Sequence, residues 1–68
     1  MGKLTNLGLQ DYHRSLSRKE RVQLKNYVSM KFGISYFSTD GKFVGRQQFS
    51  PAELLALEPI IGNETWRQ

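Results

Sequence analysis

Residues 34–49 read ISYFSTDGKFVGRQQF, and the conformation of this stretch decides the fold. Two readings compete. The local one places a turn at Asp40-Gly41, between two aromatic-rich runs. A type I′ turn needs positive φ at both central residues, and Asp-Gly supplies it. Residues 34–39 and 42–49 then become strands, and the chain reads helix, hairpin, helix, an α+β fold.

The second reading starts upstream, with Lys25 as the first position of a helix-turn-helix. Two crossing helices need a small residue where they meet, and Ser29 is there. The tight turn needs a residue tolerant of positive φ, and Gly33 is there. Ile34 follows as an apolar plug, and Ser35 can cap a second helix over residues 35–44. Thr39 and Phe43 then point inward at i and i+4, and Gly45 ends the helix. Gly41 inside it costs about 1 kcal/mol relative to alanine. On this reading the chain is all-α, a compact bundle of four or five helices.

The flanks carry firmer signals. Ser17-Arg18-Lys19-Glu20 has the S-x-x-E form of a capping box, and the run 18–32 contains neither Gly nor Pro. Leu24, Tyr27, Val28 and Phe32 share one face of that helix, while Arg18, Lys19, Lys25 and Lys31 point largely elsewhere. Ser50-Pro51-Ala52-Glu53 is a second start, with proline at the first helical position. Leu54, Leu55, Leu57, Ile60 and Ile61 make its apolar face. Pro59 predicts a stop or kink near Leu57–Glu58. Gly62-Asn63 reads as a further stop, before a last short turn that folds Trp66 back on the core. Upstream, Leu9, Tyr12, His13 and Leu16 mark one face of a short helix over residues 5–16.

Residues 17–61 resemble the phage-repressor, or lambda-repressor-like, helix-turn-helix family, especially its short bacterial members encoded near mobile elements. The stretch FGIS, a short helix ending in FVGR, a polar link and then FSPAELLAL follow that family's rhythm over about two thirds of the chain. Ser50, Glu53 and Leu54 match the capping serine and Glu-Leu pair that open the helix after the recognition helix. The resemblance implies a DNA-binding transcriptional regulator with double-stranded DNA as its partner, working as a possible homodimer on half-sites one DNA turn apart.

Placed on that frame, Ser35, Tyr36, Phe37, Asp40 and Gly41 are the exposed positions of the recognition helix. Ser35 or the Tyr36 hydroxyl can bond a base edge or a phosphate, Phe37 can pack on a thymine methyl, and Asp40 can accept from cytosine N4. Lys25, Lys31, Lys42, Arg46, Gln47 and Gln48 flank the helix as candidate phosphate contacts. Residues 57–66 suit either a dimer contact or closure of the monomer core. On the hairpin reading the leading function changes. Tyr36, Phe37, Phe43, Val44 and Phe49 then make an apolar patch for a protein partner, and the chain becomes a small interaction module or accessory protein.

Composition bounds these readings. With 68 residues there is room for one domain, near the lower limit for an unstapled core. The chain has no cysteine, hence no disulfide and no Cys/His zinc cluster. Only 38% of residues are hydrophobic, so the aromatics and leucines must pack well, or a partner subunit must finish the core. Residues 1–48 hold nine Lys/Arg against three Asp/Glu, and residues 49–68 hold one against three. A basic body with an acidic end suits a polyanionic partner. No long apolar run or cleavage site opens the chain and no stretch suits a membrane span, so a cytoplasmic protein without membrane contact is expected.

The single histidine, His13, reads as packed or surface-exposed. Asp11 stands two residues before it, off its helix face. The carboxylates Glu53, Glu58 and Glu64 are explained by capping and solvation. The expectation is a binding protein, not an enzyme, with no catalytic residue, metal site, cofactor or small-molecule substrate.

Overall fold

A computed structural model describes residues 4–67. The ends of the expected 1–68 domain, including Lys3, lie outside the described residues. Four α-helices follow one another: α1 Asn6–Ser15, α2 Arg18–Phe32, α3 Tyr36–Val44 and α4 Pro51–Asn63, with a 3₁₀ turn at Thr65–Arg67. Among the described residues there is no strand.

The helix starts are local chemistry. In α1 the Thr5 hydroxyl accepts from the Gly8 N–H at 3.0 Å. Both capping boxes close. The Ser17 hydroxyl accepts from the Glu20 N–H at 3.2 Å while Glu20 accepts from the Ser17 N–H at 3.0 Å. Ser50 and Glu53 repeat this at 3.2 and 2.8 Å, with Pro51 in the first turn. Each box satisfies two amide donors that a helix start otherwise leaves unpaired.

Residues 34–49 take the helical reading. Ser35 caps α3 by accepting from the Ser38 N–H at 3.0 Å. Thr39 and Phe43 are completely buried, one helical turn apart. A hairpin would need positive φ at Asp40 and Gly41, but among the described residues positive φ occurs only at Gly33, Gly45 and Glu64. The reason is tertiary. One continuous turn delivers both Thr39 and Phe43 to the core, whereas strands either side of residues 40–41 would not. Gly33, at φ 69°, turns α2 into α3, and the N–H groups of Gly33 and Ile34 both donate to the Ser29 carbonyl. Gly45, at φ 100°, ends α3.

One expectation for the end of the chain, a stop near Leu57–Glu58, is corrected. Pro59 lies inside α4 and does not stop it. Leu57 before it and Ile60 after it are both buried, and only an uninterrupted helix puts both on the core face. Proline in a helix interior costs about 3 kcal/mol, and burying two large aliphatic side chains at roughly 1.5–3 kcal/mol each offsets that. Pro59 itself is exposed, so its ring meets water. The helix ends where Gly62-Asn63 predicts a stop: it runs to Asn63, with Glu64 as its cap in the left-handed region at φ 54°.

The core joins all four helices and the final turn. Leu9, Leu16, Leu24, Val28, Phe43, Phe49, Leu57, Ile60 and Trp66 form one buried cluster. His13 stacks on Phe43 at 5.2 Å, and Phe49 meets Phe43 edge-on at 5.3 Å. The Trp66 indole N–H donates to the Tyr12 hydroxyl at 3.2 Å. Leu57, Ile60 and Trp66 therefore close the core of this chain itself. No helix among the described residues is long and apolar enough to cross a membrane.

Candidate nucleic-acid interface

The face to consider runs from the end of α2 over the first turns of α3. Ser35 is exposed at the cap, and Phe37 is 74% exposed. Tyr36, at 38%, is partly covered. Gly41 is buried, not exposed as the sequence suggests, because the link after α3 folds back over it. The N–H groups of Arg46 and Gln47 donate to the Gly41 carbonyl at 2.9 and 3.2 Å.

Asp40 differs most from its expected role. Its Oδ1 accepts from Lys25 Nζ at 2.8 Å, and its Oδ2 lies 3.5 Å from Arg46 Nη2. Both oxygens are engaged by cations, so Asp40 does not stand free to meet a cytosine amine. Lys25 likewise does not point outward. It is buried on α2, its side chain only 11% exposed, because that face of α2 carries α3. The Lys25 hydrogen bond holds Asp40 below its ordinary carboxylate range, against a smaller push upward from burial. Burial pulls the Lys25 ammonium downward, but the bonds to Asp40 and Tyr36 outweigh it and leave it raised.

Each cation of this trio also lies against a ring. Lys25 Nζ is 5.3 Å from the centroid of Tyr36, and Arg46 Cζ is 5.5 Å from that of Phe37. Both are within cation–π range.

Lys42 is held elsewhere. Its Nζ pairs with Glu53 at 3.3 Å, reaches the Gln48 carbonyl at 3.5 Å and lies 5.4 Å from the Phe49 ring. It fastens α3 to the start of α4. The backbone N–H of Ser50 does most to hold Glu53 below its usual range, with Lys42 adding to it against some burial. Gln47 and Gln48 are exposed on the link.

Subtracting the ion pairs changes where the positive charge lies. Arg14 pairs with Asp11, and Arg67 with Glu20 and Glu64. Among the described residues the cations without a carboxylate partner are Arg18, Lys19, Arg21 and Lys31, all on α2. Arg21 donates to the carbonyls of His13 and Arg14 at 3.2 and 3.1 Å, capping the end of α1. Sequence reasoning selected Lys31 as a contact and passed over Arg18, Lys19 and Arg21. A usable signal was present: between Arg18 and Phe32 the only acidic residue is Glu20, so this helix cannot neutralise itself.

A cleft of about 260 Å³ between α1, α2 and the end of α3 is lined by Gln10, His13, Arg14, Arg21, Phe43 and Val44. His13 Nε2 is buried without a hydrogen-bond partner. Burial first, then the charges of Lys25 and Arg21, lower its pKa and disfavour the charged ring.

No family model, curated protein or solved structure matches the chain.

Proposed function

We propose that the chain is a sequence-specific DNA-binding transcriptional regulator of phage or mobile-element type. On this reading α2, the Gly33 turn and α3 form a lambda-repressor-like helix-turn-helix. The observation that carries it is that, among the described residues, the cations without a carboxylate partner, Arg18, Lys19, Arg21 and Lys31, all lie on α2, the helix preceding the one whose capped, exposed start would enter the major groove. Ser35, Tyr36 and Phe37 are the base-reading positions, and Lys31 with Arg18 and Lys19 contacts phosphates.

Fluorescence anisotropy with a mixed-sequence duplex tests this. Affinity should fall steeply as salt rises, and each phosphate contact contributes about 0.9 to the slope of log affinity against log salt. No duplex binding at low salt would dismiss the proposal.

A second reading, a protein-interaction module, keeps one supporting observation: Phe37 and Met30 are 74% and 83% exposed. The rest of its patch is weaker, because Phe43 and Phe49 are buried. Binding to a protein through such side chains would be nearly independent of salt. Homodimer formation belongs to the DNA-binding reading. With Leu57, Ile60 and Trp66 in the core, the large aliphatic side chains left on α4 are exposed Leu55 and half-buried Leu54 and Ile61; Leu54 and Leu55 lie beside Leu4 and Pro51.

A further inference from the structure

We infer that Asp40 determines specificity on this face, by neutralising buried Lys25 and withholding exposed Arg46 from DNA phosphates, so that a duplex is recognised at its thymine methyl groups by the rings of Tyr36 and Phe37. The inference rests on the DNA-binding reading above.

One carboxylate organises the whole cluster. Asp40 Oδ1 holds Lys25 and Oδ2 holds Arg46. Lys25 lies against Tyr36 and Arg46 against Phe37. The trio brings together α2, α3 and the link after α3, and it carries one net positive charge where two cations alone would carry two. A carboxylate this close to the reading end of α3 also repels phosphates. Non-specific affinity, which comes almost wholly from cation–phosphate contacts, is thereby reduced on this side of the helix.

What remains exposed at the start of α3 is mainly apolar. A phenyl ring offers no hydrogen bond to a base edge. In the major groove the apolar feature is the C5-methyl of thymine, and a ring pressed on guanine, cytosine or adenine edges would desolvate donors and acceptors without pairing them. Tyr36 adds one hydroxyl, and Ser35 another. The selectivity expected is for sites containing thymine, through contact rather than charge.

The test uses three duplexes of equal length: one A·T-rich, the same with every thymine replaced by deoxyuridine, and one G·C-rich. Anisotropy is measured at low salt and as salt rises. The wild type should bind the thymine duplex more tightly than the uridine duplex, about fourfold for each methyl buried. Phe37→Ala, at an exposed position, should bring that ratio close to one. Asp40→Asn should bind the G·C duplex more tightly than the wild type does, and its salt slope should steepen by roughly one phosphate contact, about 0.9. Loss of fold alone would weaken binding and flatten the slope, the opposite pattern. If Asp40→Asn does not fold, the thymine–uridine comparison on wild type and Phe37→Ala still decides. Equal binding of thymine and uridine duplexes overturns this inference and leaves the DNA-binding reading standing. An unchanged salt slope in folded Asp40→Asn also overturns it. Failure of the wild type to bind any of the three overturns both.

Discussion

The side-chain amide of Asn6 pairs with both main-chain polar groups of Phe49. Its Oδ1 accepts from the Phe49 N–H at 2.8 Å, and its Nδ2 donates to the Phe49 carbonyl at 3.3 Å. This contact ties the first turn of α1 to the link that carries the buried Phe49 ring. Asn6→Ala leaves both main-chain groups without their partner and should cost about 1–3 kcal/mol. Asn6→Asp keeps the acceptor and loses the donor, so it should cost less. Urea denaturation of the two variants gives the order, and equal midpoints would contradict it.

Gly41 lies in the interior of α3 without positive φ. A Cβ placed there would meet the Arg46 guanidinium at 3.5 Å, an ordinary contact. Gly41→Ala should therefore stabilise the protein by about 0.5–1 kcal/mol. Gly45→Ala, at φ 100°, should destabilise it by a similar amount or more. The sign at Gly41 is informative. In an Asp-Gly hairpin turn the same substitution would destabilise, so a lowered melting temperature would count against the helix.

His13 should make stability fall in mild acid. Its pKa lies below the ordinary 6.5 because of burial first and then Lys25 and Arg21, against a smaller upward pull from Asp40. The unfolded chain takes up a proton near pH 6.5 while the folded chain resists until lower pH. The stability linked to this group is complete above pH 6.5 and is lost as pH falls through the lowered folded value. Asp40 and Glu53, lowered from 3.8 and 4.5, add their losses only at more acidic pH. Thermal melts between pH 7 and 5 should show the decline in the wild type, and His13→Gln should remove most of it.

Trp66 closes the core from the last turn, 1% exposed, with its N–H on the Tyr12 hydroxyl. Trp66→Ala should cost about 3–5 kcal/mol, most of what a domain this small can offer. Circular dichroism should show a largely unfolded chain at room temperature. Trp66→Phe, which keeps a ring but loses the hydrogen bond, should fold with a reduced midpoint.

Lys31→Glu and Lys42→Glu should separate binding from folding. Lys31 is exposed without an ion pair, so its reversal should leave the melting temperature nearly unchanged and reduce duplex affinity and the salt slope. Lys42 holds Glu53, and its reversal sets two carboxylates together at the α3–α4 junction. That variant should lose about 1–3 kcal/mol of stability. Equal effects of the two on melting would contradict this division.

Much of the architecture is legible in the residues because it depends on neighbours in the chain. Ser17 with Glu20, and Ser50 with Pro51 and Glu53, start helices through contacts three residues apart, and Gly33 and Gly45 end them through φ. The site was less legible. Lys25 and Asp40 are well separated in sequence, and nothing near either says that they meet. Lys42 with Glu53, and Arg67 with Glu20, are hidden in the same way.

By itself the sequence determined where α2, α3 and α4 begin, where α2 and α3 end, which apolar residues form the inward stripe of α2 and α3, and that Trp66 returns to the core. These follow from capping, backbone freedom and a 3.6-residue period, all short-range. Tertiary structure alone decided three things. It made Asp40-Gly41 a helix interior rather than a turn, since Thr39 and Phe43 reach the core together only in a helix. It carried α4 through Pro59, since Leu57 and Ile60 are buried on both sides of it. Among the described residues it left the cations without a carboxylate partner on α2, because Lys25, Lys42, Arg46 and Arg67 meet carboxylates that the folded chain brings within reach.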